Sequence, residues 1–401
     1  MSQNDPVLDF PLRSEEALEP PAEWADLREK CPVAKVRFPT GDEAKLITRY
    51  EDVKQVLSDP RFTRRLDAED AARLSSEGSV FDGEMSTMVP DSGEGHLRWR
   101  RLVGKWFTAK RMSALRPSME AIADELIDAM VEGEQPGDLR AALGFPLPVY
   151  VICDILGVPA EDRDRFSHWS DALLNLTRYS QAENAEAMGA FVEYMSAHIT
   201  AKRSEPGEDL LSELIKETGP DGGLTDQELL GTGIGLLVAG HETTANMIGK
   251  MVSMLLADRT RWEALLADPS LVRTAVEESL RFDANAGVGL PRYLPEDGEA
   301  SGEVLPSGTT VMCSMAAANR DESVFEGADE MDLTRSPNPH LAFGAGAHSC
   351  LGQALARTEL QVVLTVLLRR LPTLELAVPP EELERVDGLV VGGLSEVPVR
   401  W

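Results

Sequence analysis

Residues 225–256 constrain the fold of this chain more than any other stretch. They open with Thr225-Asp226-Gln227-Glu228, a hydroxyl cap followed three residues later by a carboxylate. Together these satisfy two of the N–H groups that every helix start leaves unpaired. The following Ile234-Gly235-Leu236-Leu237-Val238-Ala239-Gly240 is apolar around the whole circumference of a helix, not along one stripe. Such a helix has no face to give to water and must run through the middle of a protein. A chain of 401 residues is long enough to surround it. Apolar residues also recur at helical spacing in 96–107, 118–133, 182–202, 269–281 and 350–371. Short strand patterns lie at 34–38, 44–48, after Leu290, at 309–314 and at the C-terminus. No repeat and no Pro/Gly/Ser-rich linker divides the chain, so residues 1–401 are expected to form one domain, mainly α with small peripheral β-sheets.

Polar residues interrupt the central helix where it is most apolar. Glu242, Thr243 and Thr244 are costly there unless hydrogen-bonded or functional. One explanation is a proton relay of carboxylate, hydroxyl and water feeding a dry site; the other is a polar pair satisfied by neighbouring backbone. Gly240, just ahead of them, weakens the helix and permits it to open or bulge.

Charge narrows the partners. A formal net charge of −29 argues against nucleic acid. No apolar run approaches the length of a membrane span, and the acidic start lacks a secretory signal pattern, so a cytoplasmic protein is expected. Residues 98–112 are a local exception, carrying Arg98, Arg100, Arg101, Lys105, Lys110 and Arg111 with no acid among them. They form either a docking face for an acidic partner or a solvated helix face.

The second informative segment is His340-Leu-Ala-Phe-Gly-Ala-Gly-Ala-His-Ser-Cys-Leu-Gly352. Gly344 and Gly346 allow positive φ and close approach of the backbone to a bulky flat ligand. Cys350 sits where a helical pattern begins, and the positive end of a helix favours its thiolate, a good soft ligand for iron. Gly352 leaves the following turn without a side chain. The other cysteines, 31, 153 and 313, are dispersed and offer neither a zinc spacing nor a disulfide framework. Two further pairs have helical spacing: Glu278 with Arg281, and His96 with Arg100, the latter two donors suited to an anionic group.

Taken in order, these elements resemble a cytochrome P450 over nearly the whole chain. Phe343-Gly344-x-Gly346-x-His348-x-Cys350-x-Gly352 is similar to the family's haem-binding signature, and Ala239-Gly240-x-Glu242-Thr243-Thr244 to its oxygen-activating stretch. Glu278-x-x-Arg281, with Arg335 in Asp332-x-x-Arg335 as third member, is similar to its structural pair. The resemblance implies the P450 fold with the long central helix over the haem, and haem b (iron protoporphyrin IX) as cofactor. Cys350 would bind the iron, with Phe343, Gly344 and Gly352 shaping its loop, and His96, Arg100, Arg292 and His348 would pair with the propionates. Glu242 and Thr243 would deliver protons during O2 activation. The basic helix would meet a ferredoxin electron donor through Arg98, Arg101, Lys105 and Arg111. One departure stands out: relatives often carry Asp-Pro-Pro where this chain has Asp91-Ser92-Gly93-Glu94-Gly95, which implies a looser loop.

For the substrate, the resemblance points to Met85, Met88, Leu237, Ala239, Gly240, Val288 and Val390 as pocket residues. The overall look is that of actinobacterial members that tailor secondary metabolites in antibiotic biosynthesis. It implies hydroxylation or epoxidation of a large small-molecule substrate such as a macrolide or peptide. Oxidative C–C or C–O coupling of aromatic substrates is the alternative on the same fold. Outside oxidation, a haem-binding sensor or carrier remains open, although such a protein has no need of the acid–alcohol pair or the basic helix.

Overall fold

The computed structural model describes residues 7–74, 88–174, 179–217, 222–284, 289–386 and 392–401. The central helix runs unbroken from Asp226–Ala257, capped as its first four residues predict: the Glu228 N–H donates to Thr225 Oγ1 at 3.2 Å, and the Thr225 N–H donates to Glu228 Oε2 at 2.8 Å. Of its 32 residues, 23 are buried, which its all-round apolar character requires. Gly240 introduces no bulge. A Cβ there would lie 3.1 Å from Ile152 Cγ1, so the missing side chain serves close packing against the helix Pro146–Leu156. That neighbour, nearly all buried, was legible in sequence only as an apolar run with no period.

Further helices Gln181–Ser204, Val272–Phe282 and Gln353–Arg370 pack on the central one within the largest hydrophobic cluster. The basic helix Gly93–Gly104 begins three residues earlier than its apolar pattern suggests, since glycines at 93 and 95 carry no hydrophobic signal. The C-terminal helix begins at Gln353, which leaves Cys350 in the loop ahead of it and not within its first turn.

The strands form small sheets at the periphery. One has the order Leu8–Asp9, Val33–Arg37, Glu43–Ile47, Thr310–Cys313, Leu290–Tyr293, with parallel and antiparallel pairs alternating. This pairing buries Arg292, opposite Val311, beside the cysteine loop. Pro398–Arg400 lies between Gly137–Asp138 and Glu375–Leu376, and Gly298–Ala300 pairs with Glu303–Leu305.

Candidate active site

The segment around Cys350 is held by its own backbone. The Cys350 N–H donates to the Phe343 carbonyl at 2.8 Å and the Gly344 N–H to the Leu341 carbonyl at 2.8 Å. Gly346 is obligatory: its φ is +72°, and a Cβ would lie 2.7 Å from Ser58 Cα and 2.8 Å from the Leu57 carbonyl oxygen. Gly352 is different, because a Cβ there would meet no protein atom within 4 Å. The space beside Cys350 is thus open to a ligand where protein atoms do not fill it. The cysteine itself is exposed to that space while the protein crowds it from behind. This burial pushes its thiol up, and the Gly352 N–H, Arg100 and Arg357 pull it back toward the thiolate.

Deep buried polar contacts brace the loop. Glu278 and Arg281, both without solvent exposure, are joined by two bonds of 2.8 Å. Arg281 donates onward to the carbonyls of Asn319, Ala328 and Glu330. Glu278 also accepts from Arg335 Nε at 3.1 Å, Asn338 Nδ2 at 3.0 Å and the Asp332 N–H at 2.8 Å. The triad expected from sequence is therefore assembled. Asn319 Oδ1 carries the network to the loop by accepting the Leu341 N–H at 2.7 Å. A buried ion pair stabilises little by itself, but removing one partner strands the other.

Next to this loop stands a cluster of arginines and histidines. His96 and His348 stack with ring centres 4.4 Å apart. Arg64, Arg292 and His348 line a cavity of about 130 Å³ together with Leu66, Leu290 and Pro291. Burial, followed by repulsion from Arg64, His96, Arg292 and Arg100, pushes His348 down to about 4. His96 is lowered by burial and then by Arg100 and Arg64. Among the described residues no carboxylate forms an ion pair with Arg64, Arg100 or Arg292. The four expected residues are thus brought together, and Arg64 joins them; no motif in the sequence marked it. Three guanidiniums and two imidazoles able to donate, gathered around an open space, suit a ligand bearing more than one carboxylate, and an open side at Gly352 beside a thiol suits a flat metal complex. A haem fits both.

In its middle the central helix opens along one side. Ala239 is exposed, and Gly235, Leu236, Gly240 and Thr243 are half-buried, a stripe at helical spacing. Thr243 Oγ1 donates to the Ala239 carbonyl at 3.0 Å. Leu237, expected in the pocket, is fully buried in the core instead, because it lies on the opposite side of the helix from this stripe. Glu242 is likewise turned inward at 4% exposure. Its carboxylate accepts from Asn246 Nδ2 at 3.0 Å and lies 3.7 Å from Arg140. Glu359 of the C-terminal helix, completely buried, meets Thr244 and is pushed well up by burial. Met88 packs against the central helix at Gly231, where a Cβ would come within 2.5 Å of it. Met85, Val288 and Val390 lie outside the described residues.

The basic helix differs from expectation. Arg98, half-buried, pairs with Glu228 and donates to the Gly223 carbonyl at 2.8 Å. Lys105 pairs with Glu217 at 3.0 Å, and Arg111 with Glu213 at 3.2 Å while covering the Trp106 ring. Three of the four charges expected to face a partner are therefore met by acids of this chain more than 100 residues away in sequence. Arg101 is exposed.

Comparison with known proteins agrees with this geometry. The family model described as cytochrome P450 matches residues 257–392. The chain is 44% identical over 395 residues to nocardicin C N-oxygenase of Nocardia uniformis subsp. tsuyamanensis, covering 98% of each. It is 42% identical over 394 residues to mycinamicin IV hydroxylase/epoxidase of Micromonospora griseorubida, again covering 98% of each. Among solved structures, the mixed-function P450 MycG superposes with a TM-score of 0.92 at 41% identity, covering 99% of this chain and 100% of that one.

Proposed function

Because the chain belongs to the cytochrome P450 family and is a haem-thiolate monooxygenase, we propose that it hydroxylates or epoxidises a large secondary metabolite such as a macrolide or peptide. The observation that carries this is the exposed Cys350 beside three clustered arginines and two histidines, on a chain similar along its length to enzymes named for mycinamicin IV and nocardicin C.

Cys350 provides the thiolate, shaped by Phe343, Gly344 and the open side of Gly352. Arg64, His96, Arg100, Arg292 and His348 hold the two carboxylates of haem b. When bound, the haem supplies O2 binding and two-electron cleavage, so that one oxygen atom enters the substrate and the other leaves as water. The exposed stripe of the central helix faces the substrate, with Ala239 and Gly240 giving room. Thr243, its proton directed at the Ala239 carbonyl, offers its oxygen to a water in that stripe. Glu242, fixed by Asn246 and Arg140, holds the acid behind it at the level where protons enter. Met88 borders the pocket from the start of the central helix. A ferredoxin supplies the electrons in the cytoplasm and meets the exposed part of the basic stretch, where Arg101 and Lys110 reach the surface.

The test incubates purified protein with a reduced ferredoxin system, O2 and a panel of macrolides and peptide metabolites. A substrate-induced spin-state shift followed by product one oxygen atom heavier supports the proposal. Binding without oxygen gain, with two hydrogens lost and a new C–C or C–O bond, would replace it by coupling.

A further inference from the structure

Glu277, the neighbour of the buried Glu278, has no part in the triad. Its carboxylate reaches the other way. One oxygen lies 3.0 Å from His340 Nε2, at the beginning of the cysteine loop. The other accepts from Arg357 Nε at 2.7 Å, on the first turns of the helix that leaves the loop. Both ends of the segment 340–357 are therefore tied to a single side chain. Arg357 is further fixed by Gln353 Oε1 at 3.0 Å, and its guanidinium lies over the Phe343 ring at 4.4 Å. Phe343 is the residue whose carbonyl accepts the Cys350 N–H.

We propose that Glu277 and Arg357 are positioning residues for the cysteine ligand: Glu277 holds Arg357 flat on Phe343, and the Arg357 charge sets how strongly the Cys350 sulfur donates electrons. This rests on Cys350 binding haem iron as proposed above. The physical basis is that a fixed cation near a thiolate, in a surround of low polarity, stabilises the electron-rich sulfur and weakens its donation. The balancing carboxylate of Glu277 opposes that effect from one bond further away. Arg357, like Arg100, favours the thiolate form of Cys350. A planar guanidinium stacked on an aromatic ring is a geometry that lysine does not reproduce.

The decisive measurement is the haem reduction potential of the loaded protein and of Arg357→Gln, Arg357→Lys and Glu277→Gln. Loss of the Arg357 charge makes reduction harder, by about tenfold in the reduction equilibrium, or about 59 mV to more negative potential. Arg357→Lys falls between Arg357→Gln and the parent. In Glu277→Gln the amide oxygen can still accept from Arg357 Nε, so the position is kept and only the charge is lost, which shifts the potential to more positive values. Shifts of opposite sign are the expected result. A merely structural tie loosens the loop alike in both variants, so shifts of the same sign, or potentials equal to the parent's, overturn the proposal. Should Arg357→Gln fail to take up haem, Glu277→Gln decides alone, with a positive shift in favour and none or a negative one against. A parent protein without a thiolate-haem carbon monoxide band would instead overturn the cofactor assignment.

Discussion

The cysteine side of the site and the open face of the central helix are built by opposite strategies. Behind Cys350, a dense set of side-chain and backbone hydrogen bonds braces the loop. Glu278 alone accepts from Arg281, Arg335, Asn338 and the Asp332 N–H, and the loop is sewn by its own backbone at Phe343 and Leu341. The open face carries three small residues, Gly235, Ala239 and Gly240, that define space by what they lack, beside Leu236 and Thr243. The first region fixes a cofactor, whose shape is constant. The second only leaves room.

Breaking the braced side should be costly. Glu278→Gln strips a charge from a fully buried pair and leaves Arg281 uncompensated, so urea unfolding should show a loss of about 3–5 kcal/mol. A loss under 1 kcal/mol would mean that the surrounding carbonyls alone satisfy the guanidinium.

Two residues on the central helix sharpen the contrast. Leu237→Ala, in the core, should cost about 2–5 kcal/mol of stability and leave the affinity for a substrate unchanged. Ala239→Phe, two residues on, should leave the unfolding midpoint nearly unchanged and abolish the substrate-induced spin-state shift. The opposite pairing of effects would place the pocket on the other side of the helix.

Acid stability reports the brace at Glu277. Burial raises this carboxyl, but the bonds from His340 and Arg357 and their charges overcome it and hold it at about 2. A depressed folded value stabilises above the unfolded one, so the contribution is complete above pH about 4.5 and lost as pH falls toward about 2. The gap corresponds to about 3 kcal/mol. Unfolding measured across that window should show the parent losing its advantage over Glu277→Gln on acidification; a constant difference between them would refute the linkage.

The smallest effect belongs to the surface. Lys105→Ala removes a half-exposed pair with Glu217 and should change stability by less than about 1 kcal/mol.

How much of this was legible in the sequence follows the same division. The capping box at Thr225 and the Glu278–Arg281 pair depend on residues close together in the chain, where spacing carries the physics, and both formed as read; the Cys350 segment differs in that its helix begins only at Gln353. Arg335 came through resemblance to the family. The pairings of Arg98, Lys105 and Arg111 with Glu228, Glu217 and Glu213 cross more than 100 residues, and no local pattern signals them, so a neutralised face read as a basic one. Arg64 was hidden for the same reason, since only folding brings it to His348 and Arg292. Leu237 misled because helical phase within an all-round apolar stretch cannot tell which side opens.

The central claim is that Cys350 is the thiolate that holds a haem iron. The reduced carbon monoxide difference spectrum tests it directly, on the parent protein and on Cys350→Ser. A thiolate-haem band in the parent that disappears in Cys350→Ser, with the fold retained, is the predicted result. No such band in haem-loaded parent protein, or an undiminished band in Cys350→Ser, would contradict it.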